Sequence, residues 1–125
     1  MVKKVYVGLT LDILHNGHTR LLEKAAALGT VTVGLLTNSA IAGHKRIPLL
    51  NWEQRAEIAR SLNSVTEVVE QTEWDYSLNI LKYKPDYFVH GDDWLTSSSN
   101  LRKNAISALS QYGGELIEVP STPLI

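Results

Sequence analysis

Apolar residues in this chain alternate between two spacings, and each change of spacing marks a new element. Short runs rich in β-formers at residues 5–9, 30–36, 65–69, 86–90 and 115–119 predict five strands. Between them the apolar positions widen to helical spacing. Leu21, Leu22, Ala25, Ala26 and Leu28 predict a helix over 17–28, closed by Gly29 as a C-terminal cap. Asn51 predicts the next helix start, with Gln54 as its capping-box partner. That helix reaches about Leu62 and uses Ile58, Ala59 and Leu62 as its apolar face. A short helix follows over 77–83. The last, over 100–111, turns Leu101, Ala105, Ile106, Ala108 and Leu109 inward before Gly113-Gly114 stop it. Residues 37–49, with Gly43-His44-Lys45-Arg46 and Pro48, read as a connection.

Strands alternating with helices define the fold class: α/β, a Rossmann-like open parallel five-stranded sheet with helices on both faces. Ligands in such sheets lie beyond the strand C-termini, where the strand order reverses. A length of 125 residues predicts a single domain, 1–125, and 44% hydrophobic residues suffice for a sizeable core. A net charge of -1 with no Lys/Arg cluster speaks against a nucleic-acid partner. No apolar run approaches the roughly 18 residues of a membrane span. Cysteine is absent, which excludes disulfides and thiolate metal sites. With no signal-peptide pattern, the expectation is a cytoplasmic protein.

Two motifs carry the chemistry. His15-Asn16-Gly17-His18 lies just after the first strand and opens the first helix. Its imidazoles, three residues apart, share a helix face. Gly17 leaves room for a phosphate to touch backbone, and the helix N-terminus adds free N–H groups and a positive dipole end. Gly91-Asp92-Asp93-Trp94 follows the fourth strand. Both motifs leave strand C-termini, so both are expected at one crevice.

The stretch Gly8-Leu9-Thr10-Leu11-Asp12-Ile13-Leu14-His15-Asn16-Gly17-His18 resembles the signature of the cytidylyltransferase family. That family belongs to the H-x-G-H nucleotidyltransferase superfamily, which also holds class I aminoacyl-tRNA synthetases. Leu36-Thr37-Asn38, Trp52-Glu53-Gln54-Arg55 and His90 to Trp94 fall in family order, so the resemblance covers essentially the whole chain. Glycerol-3-phosphate cytidylyltransferases usually read Gly-Thr-Phe-Asp before the histidines. Here Leu9-Thr10-Leu11-Asp12 stands in those places and the glycine falls one position earlier. That variation resembles the phosphonate branch: 2-aminoethylphosphonate cytidylyltransferases and the nucleotidyltransferase domain fused to phosphoenolpyruvate mutase. Lys84-Pro85-Asp86-Tyr87 and Tyr112-Gly113-Gly114 look like the same branch. The family continues into an Ile-Ser-Ser/Thr-Thr segment that holds nucleotide phosphates. This sequence stops at Ser121-Thr122-Pro123-Leu124-Ile125, so that segment is expected to be missing, or to belong to a fused continuation.

The resemblance implies in-line attack of a phosphonate or phosphate oxygen on the α-phosphorus of CTP, expelling pyrophosphate. It implies catalytic roles for His15, His18 and Lys45, and nucleotide contacts from Leu9, Thr10, Leu11, Gly17, His18, Gly91, Asp92, Asp93 and Trp94. An aspartate accepting from the cytosine amino group would distinguish cytosine from uracil; Asp92 and Asp93 both qualify. Lys45 and Arg46, on a glycine-containing loop, can reach β- and γ-phosphates. Arg55 matches a phosphate-binding arginine. Asp75 and Tyr76 match an Asp-Tyr pair expected to face the acceptor's amine, a cation that wants a carboxylate or an aromatic face. Mg²⁺ is expected with the triphosphate, needing few protein ligands, and a homodimer is expected from the family. The acceptor is read as 2-aminoethylphosphonate. 2-Hydroxyethylphosphonate, glycerol-3-phosphate, phosphoethanolamine, and a nucleotide-binding module without turnover remain as alternatives. An RNA-binding fragment lacks the basic surface it needs.

Overall fold

The computed structural model describes residues 2–92, 94 and 100–120. Alternation along the first strand sets the layers. β1 (Lys4–Leu9) turns Val5, Val7 and Leu9 into one apolar cluster and Tyr6 into another, because successive side chains of a strand point to opposite faces. β2 (Thr30–Leu36) adds Val31, Val33 and Leu35 to the first cluster. Two helices, α1 (Asn16–Leu28) and α3 (Trp52–Arg60), cover that face with Leu22, Ala25, Ala56 and Ala59. On the other face, α4 (Ser77–Tyr83) and α5 (Leu101–Ser110) pack Ile80, Ala105, Ala108 and Leu109 on Tyr6 and Phe88. A short α2 (Asn38–Ile41) follows β2. β3 (Glu67–Gln71), β4 (Tyr87–Gly91) and β5 (Glu115–Val119) complete the sheet. No helix among the described residues is long and apolar enough to cross a membrane.

Every strand pairs in parallel, in the order β3-β2-β1-β4-β5. Chain order therefore reverses between β1 and β4. Pairing of β1 with β2 runs from Lys4↔Thr30 to Leu9↔Leu35, whereas β1 and β4 pair only at Val5↔Tyr87 and Tyr6↔Phe88. The two central strands part beyond that point. A crevice opens at their C-terminal ends, where the fold rule places ligands.

Departures from the sequence pattern have local causes. β3 starts two residues later than the apolar run predicts, because the Val65 amide is spent on a turn to the Leu62 carbonyl (3.1 Å). α2 was hidden in the predicted connection. It is a single turn, capped by the Thr37 hydroxyl accepting from the Ala40 amide at 3.2 Å, and it buries Ala40 and Ile41. Ala26, Ile58 and Ile106 face solvent instead of the core. In α3 the inward row is Arg55, Ala56 and Ala59, small residues beside one long polar one, and Ile58 lies off that row. The Asn51–Gln54 capping box forms as predicted: Gln54 N donates to Asn51 Oδ1 at 2.9 Å, and Asn51 N donates to Gln54 Oε1 at 3.0 Å.

Two glycines are required by close approach. A Cβ at Gly34 would overlap the Tyr6 hydroxyl, and one at Gly8 would overlap the Tyr76 ring. Tyr6 cannot yield, since its buried hydroxyl donates to Gln71 Oε1 (2.6 Å) and accepts from Asn79 Nδ2 (2.9 Å). Burial holds that phenol well above its ordinary pKa, so it stays a neutral donor.

Candidate active site

The crevice at the strand reversal holds two cavities that meet at Gly8, Leu9, His15 and His18. The larger, about 490 Å³, lies between α1 and the ends of β4 and β5, and reaches Gly17, His90, Gly91 and Pro120. The smaller, about 350 Å³, lies over the loop from β1 to α1 and reaches Thr10, Leu11, Lys45, Trp74 and Tyr76. Two residues of the His-Asn-Gly-His motif therefore sit where a bound molecule would pass from one cavity to the other.

The start of α1 fixes those imidazoles. His15 is the N-cap: its Nδ1 accepts from the Gly17 amide at 2.9 Å, and its own amide donates to His18 Nδ1 at 3.2 Å. Imidazoles here do the work that Ser and Glu do in the usual capping box. A nitrogen that accepts a backbone N–H carries no proton, so each neutral ring keeps its proton on Nε2. Nε2–H is then the donor each ring has to offer the cavities. The rings lie close, with centroids 4.1 Å apart. Burial, then the neighbouring His15, then the Lys45 ammonium push His18 down to about 4. At neutral pH His18 is an uncharged Nε2–H donor.

The β1–α1 loop is held from beneath. Leu11 adopts a left-handed φ of 54°, a conformation that strains a leucine. Its side chain is buried, and the adjoining Thr10 carbonyl accepts from Arg55 Nη1 at 2.8 Å. Arg55 also donates to the carbonyls of Leu36 (2.9 Å) and Leu50 (3.2 Å) and to Asn38 Oδ1 (2.9 Å). The guanidinium is fully buried, and burial lowers its proton affinity. The expected phosphate ligand is thus an internal strut tying the ends of β1 and β2 to α2 and α3. Asp12 accepts from the Leu49 amide at 3.2 Å and pairs with the Arg46 guanidinium. Arg46 is consequently committed to Asp12, while Lys45 lines the smaller cavity.

The second motif divides. Gly91 lines the larger cavity and Asp92 follows it, half-buried; Asp93 lies outside the described residues. Trp94 sits in the core instead of offering a face to a nucleoside. It stacks on His90 with centroids 3.5 Å apart, and its indole donates to Glu118 Oε2 at 2.8 Å. Glu118 is gripped from the other side by Arg102, and the hydrogen bonds from Arg102 and Trp94 outweigh burial and leave its carboxyl below the ordinary range. Of the expected Asp75-Tyr76 pair, only Tyr76 reaches a cavity, with its hydroxyl 3.2 Å from His90 Nε2. Asp75 instead caps the start of α4 through the Ser77 amide (2.8 Å) and accepts from Asn104 of α5 (2.8 Å). Burial would raise that carboxyl, but these hydrogen bonds bring it below its ordinary pKa. Leu9 and Leu11 are buried wall residues, so their contribution to a ligand is backbone and shape.

Sequence reasoning missed His90, which lines the larger cavity, and the Gly8–Tyr76 contact beneath the smaller one. Only the position of Gly8, out of step with the family's glycine, hinted at the second.

The sequence model of the cytidylyltransferase-like family matches residues 6–118. FAD synthase of Ferroglobus placidus is 35% identical over 113 residues, covering 86% of this chain and 73% of that one. Glycerol-3-phosphate cytidylyltransferase of Bacillus spizizenii is 33% identical over 123 residues, covering 97% of this chain and 88% of the relative. Among solved structures, the lipopolysaccharide core biosynthesis protein from Thermoplasma volcanium covers 100% of both chains with a TM-score of 0.79 at 21% identity, a likeness of fold.

Proposed function

The chain belongs to the cytidylyltransferase-like family, and on that premise we propose that it transfers CMP from CTP to a small phosphonate, 2-aminoethylphosphonate first. 2-Hydroxyethylphosphonate, glycerol-3-phosphate and phosphoethanolamine are the other acceptors of the same reach. An oxygen of the acceptor attacks the α-phosphorus, the bond to the bridging oxygen breaks, and pyrophosphate leaves with the electron pair. No proton need be removed from an acceptor already ionised near neutral pH.

The observation that carries this reading is the pair of Nε2–H imidazoles where two cavities meet. Donors fixed before the reaction stabilise charge as it gathers on the α-phosphate, without reorganising. The larger cavity, with Gly17 and Gly91 on its walls, takes the nucleoside, and Asp92 or Asp93 accepts from the cytosine amino group. The smaller takes the acceptor, with Lys45 compensating phosphate charge and Tyr76 offering an aromatic face to an ammonium. Asp75, engaged by Ser77 and Asn104, is no longer the partner for that amine. Mg²⁺ arriving with the triphosphate would neutralise charge on its oxygens. Such an ion is held mainly by phosphate oxygens and water and asks little of the protein.

A second reading, adenylyl transfer to FMN, is favoured by the relative named FAD synthase. FMN is also a phosphate monoester, so the bond changes at the α-phosphorus are the same. Incubation of the protein with Mg²⁺ and either CTP or ATP, against each acceptor and FMN, followed by ³¹P resonance, separates them. A mixed anhydride with 2-aminoethylphosphonate and CTP supports the first choice. Turnover with FMN and ATP replaces it. CTP binding without pyrophosphate release leaves a nucleotide-binding module.

A further inference from the structure

We infer that His44, through its stack on Trp74, is a positioning residue that presents Lys45 to phosphate charge bound in the smaller cavity. The inference rests on the reading above, in which the smaller cavity receives phosphate charge.

The segment carrying Lys45 has little to hold it. Residues 42–47 are all exposed, and the chain leaves α2 on two turn bonds, from the His44 and Lys45 amides to the Ile41 carbonyl (3.0 and 3.2 Å). A lysine on so thin a support loses much side-chain freedom when it grips a ligand. Two anchors reduce that freedom beforehand, one on each side of it. Downstream, Arg46 pairs with Asp12, which also accepts from the Leu49 amide. Upstream, the His44 imidazole lies flat on the Trp74 indole, with centroids 4.4 Å apart and an interplanar angle of 2°.

Trp74 is a firm platform, half-buried against Leu36, Ala40 and Ile41 at the end of β2 and in α2. Gly43, at φ 85°, supplies the left-handed step that turns His44 back onto it. Trp74 and Lys45 wall the same cavity. On that platform His44 is the exposed half of the stack and belongs to no core cluster, so its consequence falls on the residue next to it. Lys45 stands near enough to the tetrad to lower the proton affinity of His18, after burial and His15.

The test uses inorganic tripolyphosphate as the probe, with binding to the whole chain followed by calorimetry. Lys45→Ala weakens it about tenfold, the loss of one charge-assisted contact. His44→Ala produces a loss of the same order with an unchanged melting temperature. His44→Phe, which keeps a flat ring without a titratable nitrogen, restores binding. Adding His44→Ala to Lys45→Ala changes nothing further. Equal losses from His44→Ala in both backgrounds, a Phe variant as weak as Ala, or no loss at all overturns the inference. Pyrophosphate release from CTP is measured separately: coupled binding without turnover keeps the latch and removes the transferase reading, and turnover with uncoupled variants does the reverse.

Discussion

His18 shows how a single residue serves two ends. Its Nδ1 accepts from the His15 backbone, which leaves Nε2–H as the donor available to a ligand in the cavities. Replacing either tetrad histidine by alanine is expected to cut kcat about 10²- to 10³-fold, the usual cost of one charge-stabilising donor, in a pyrophosphate-release assay. Protonation should act on stability as well. The folded His18 holds its proton only near pH 4, against an ordinary value of about 6.5. Between these limits the unfolded chain binds more protons, so stability is full above the upper one and is lost as pH falls toward the lower. Melting curves from pH 7 to pH 4 should therefore fall more steeply for the wild type than for His18→Asn. Arg55 acts differently, because it touches only protein. Arg55→Met leaves the carbonyls of Thr10, Leu36 and Leu50 without their donor, which should lower unfolding free energy in urea by on the order of 3 kcal/mol.

At the level of elements, strand pairing and helix ends set the tolerances. Gly34 lies on β2 directly against the Tyr6 hydroxyl, which Gln71 of β3 and Asn79 of α4 hold in place. Gly34→Ala forces that buried ring to move and should cost about 1–3 kcal/mol, as overpacking does; denaturant unfolding would read it. The end of α4 offers the opposite case. Lys84 caps the helix at φ 46°, its amide reaching the Ile80 carbonyl at 2.8 Å. A lysine is strained there and a glycine is not, so Lys84→Gly is expected to stabilise by about 0.5–1 kcal/mol after the entropic cost of glycine. A rise in melting temperature checks it. Boundaries followed the same local logic. The pattern located β2, α4 and β5 to the residue, because apolar runs and breakers agreed there. It missed α2, whose only signals were a threonine cap and two apolar residues.

For the molecule as a whole, the crevice is a product of topology. Parallel strands in the order β3-β2-β1-β4-β5 carry the tetrad and the Gly91 loop to the same edge, and the short β1–β4 ladder leaves space between them. On the proposed reading, a nucleotide filling that space would bind the folded chain alone. CTP with Mg²⁺ at a hundredfold excess over its Kd should stabilise by about 2.7 kcal/mol, seen as an upward shift in melting temperature. The shift should vanish in a His15→Ala/His18→Ala variant whose own fold is intact.

Spacing alone determined the chain order of the strands and of every helix but α2, the layered α/β class and the convergence of two motifs on one edge, since periodicity and the rule for parallel crossovers are properties of the chain. Folding decided which polar side chains were spent on the protein itself. Arg55, Asp75 and Trp94 match ligand-binding positions in the sequence, yet each is consumed by carbonyls, helix caps or a neighbouring carboxylate. Hydrogen-bond partners come from segments distant in sequence, and a buried polar group takes whichever partner packing brings within reach. The charge state of His18 belongs to the same class: beyond its motif neighbour His15, it is fixed by burial and by the Lys45 ammonium, both of which only the tertiary structure supplies.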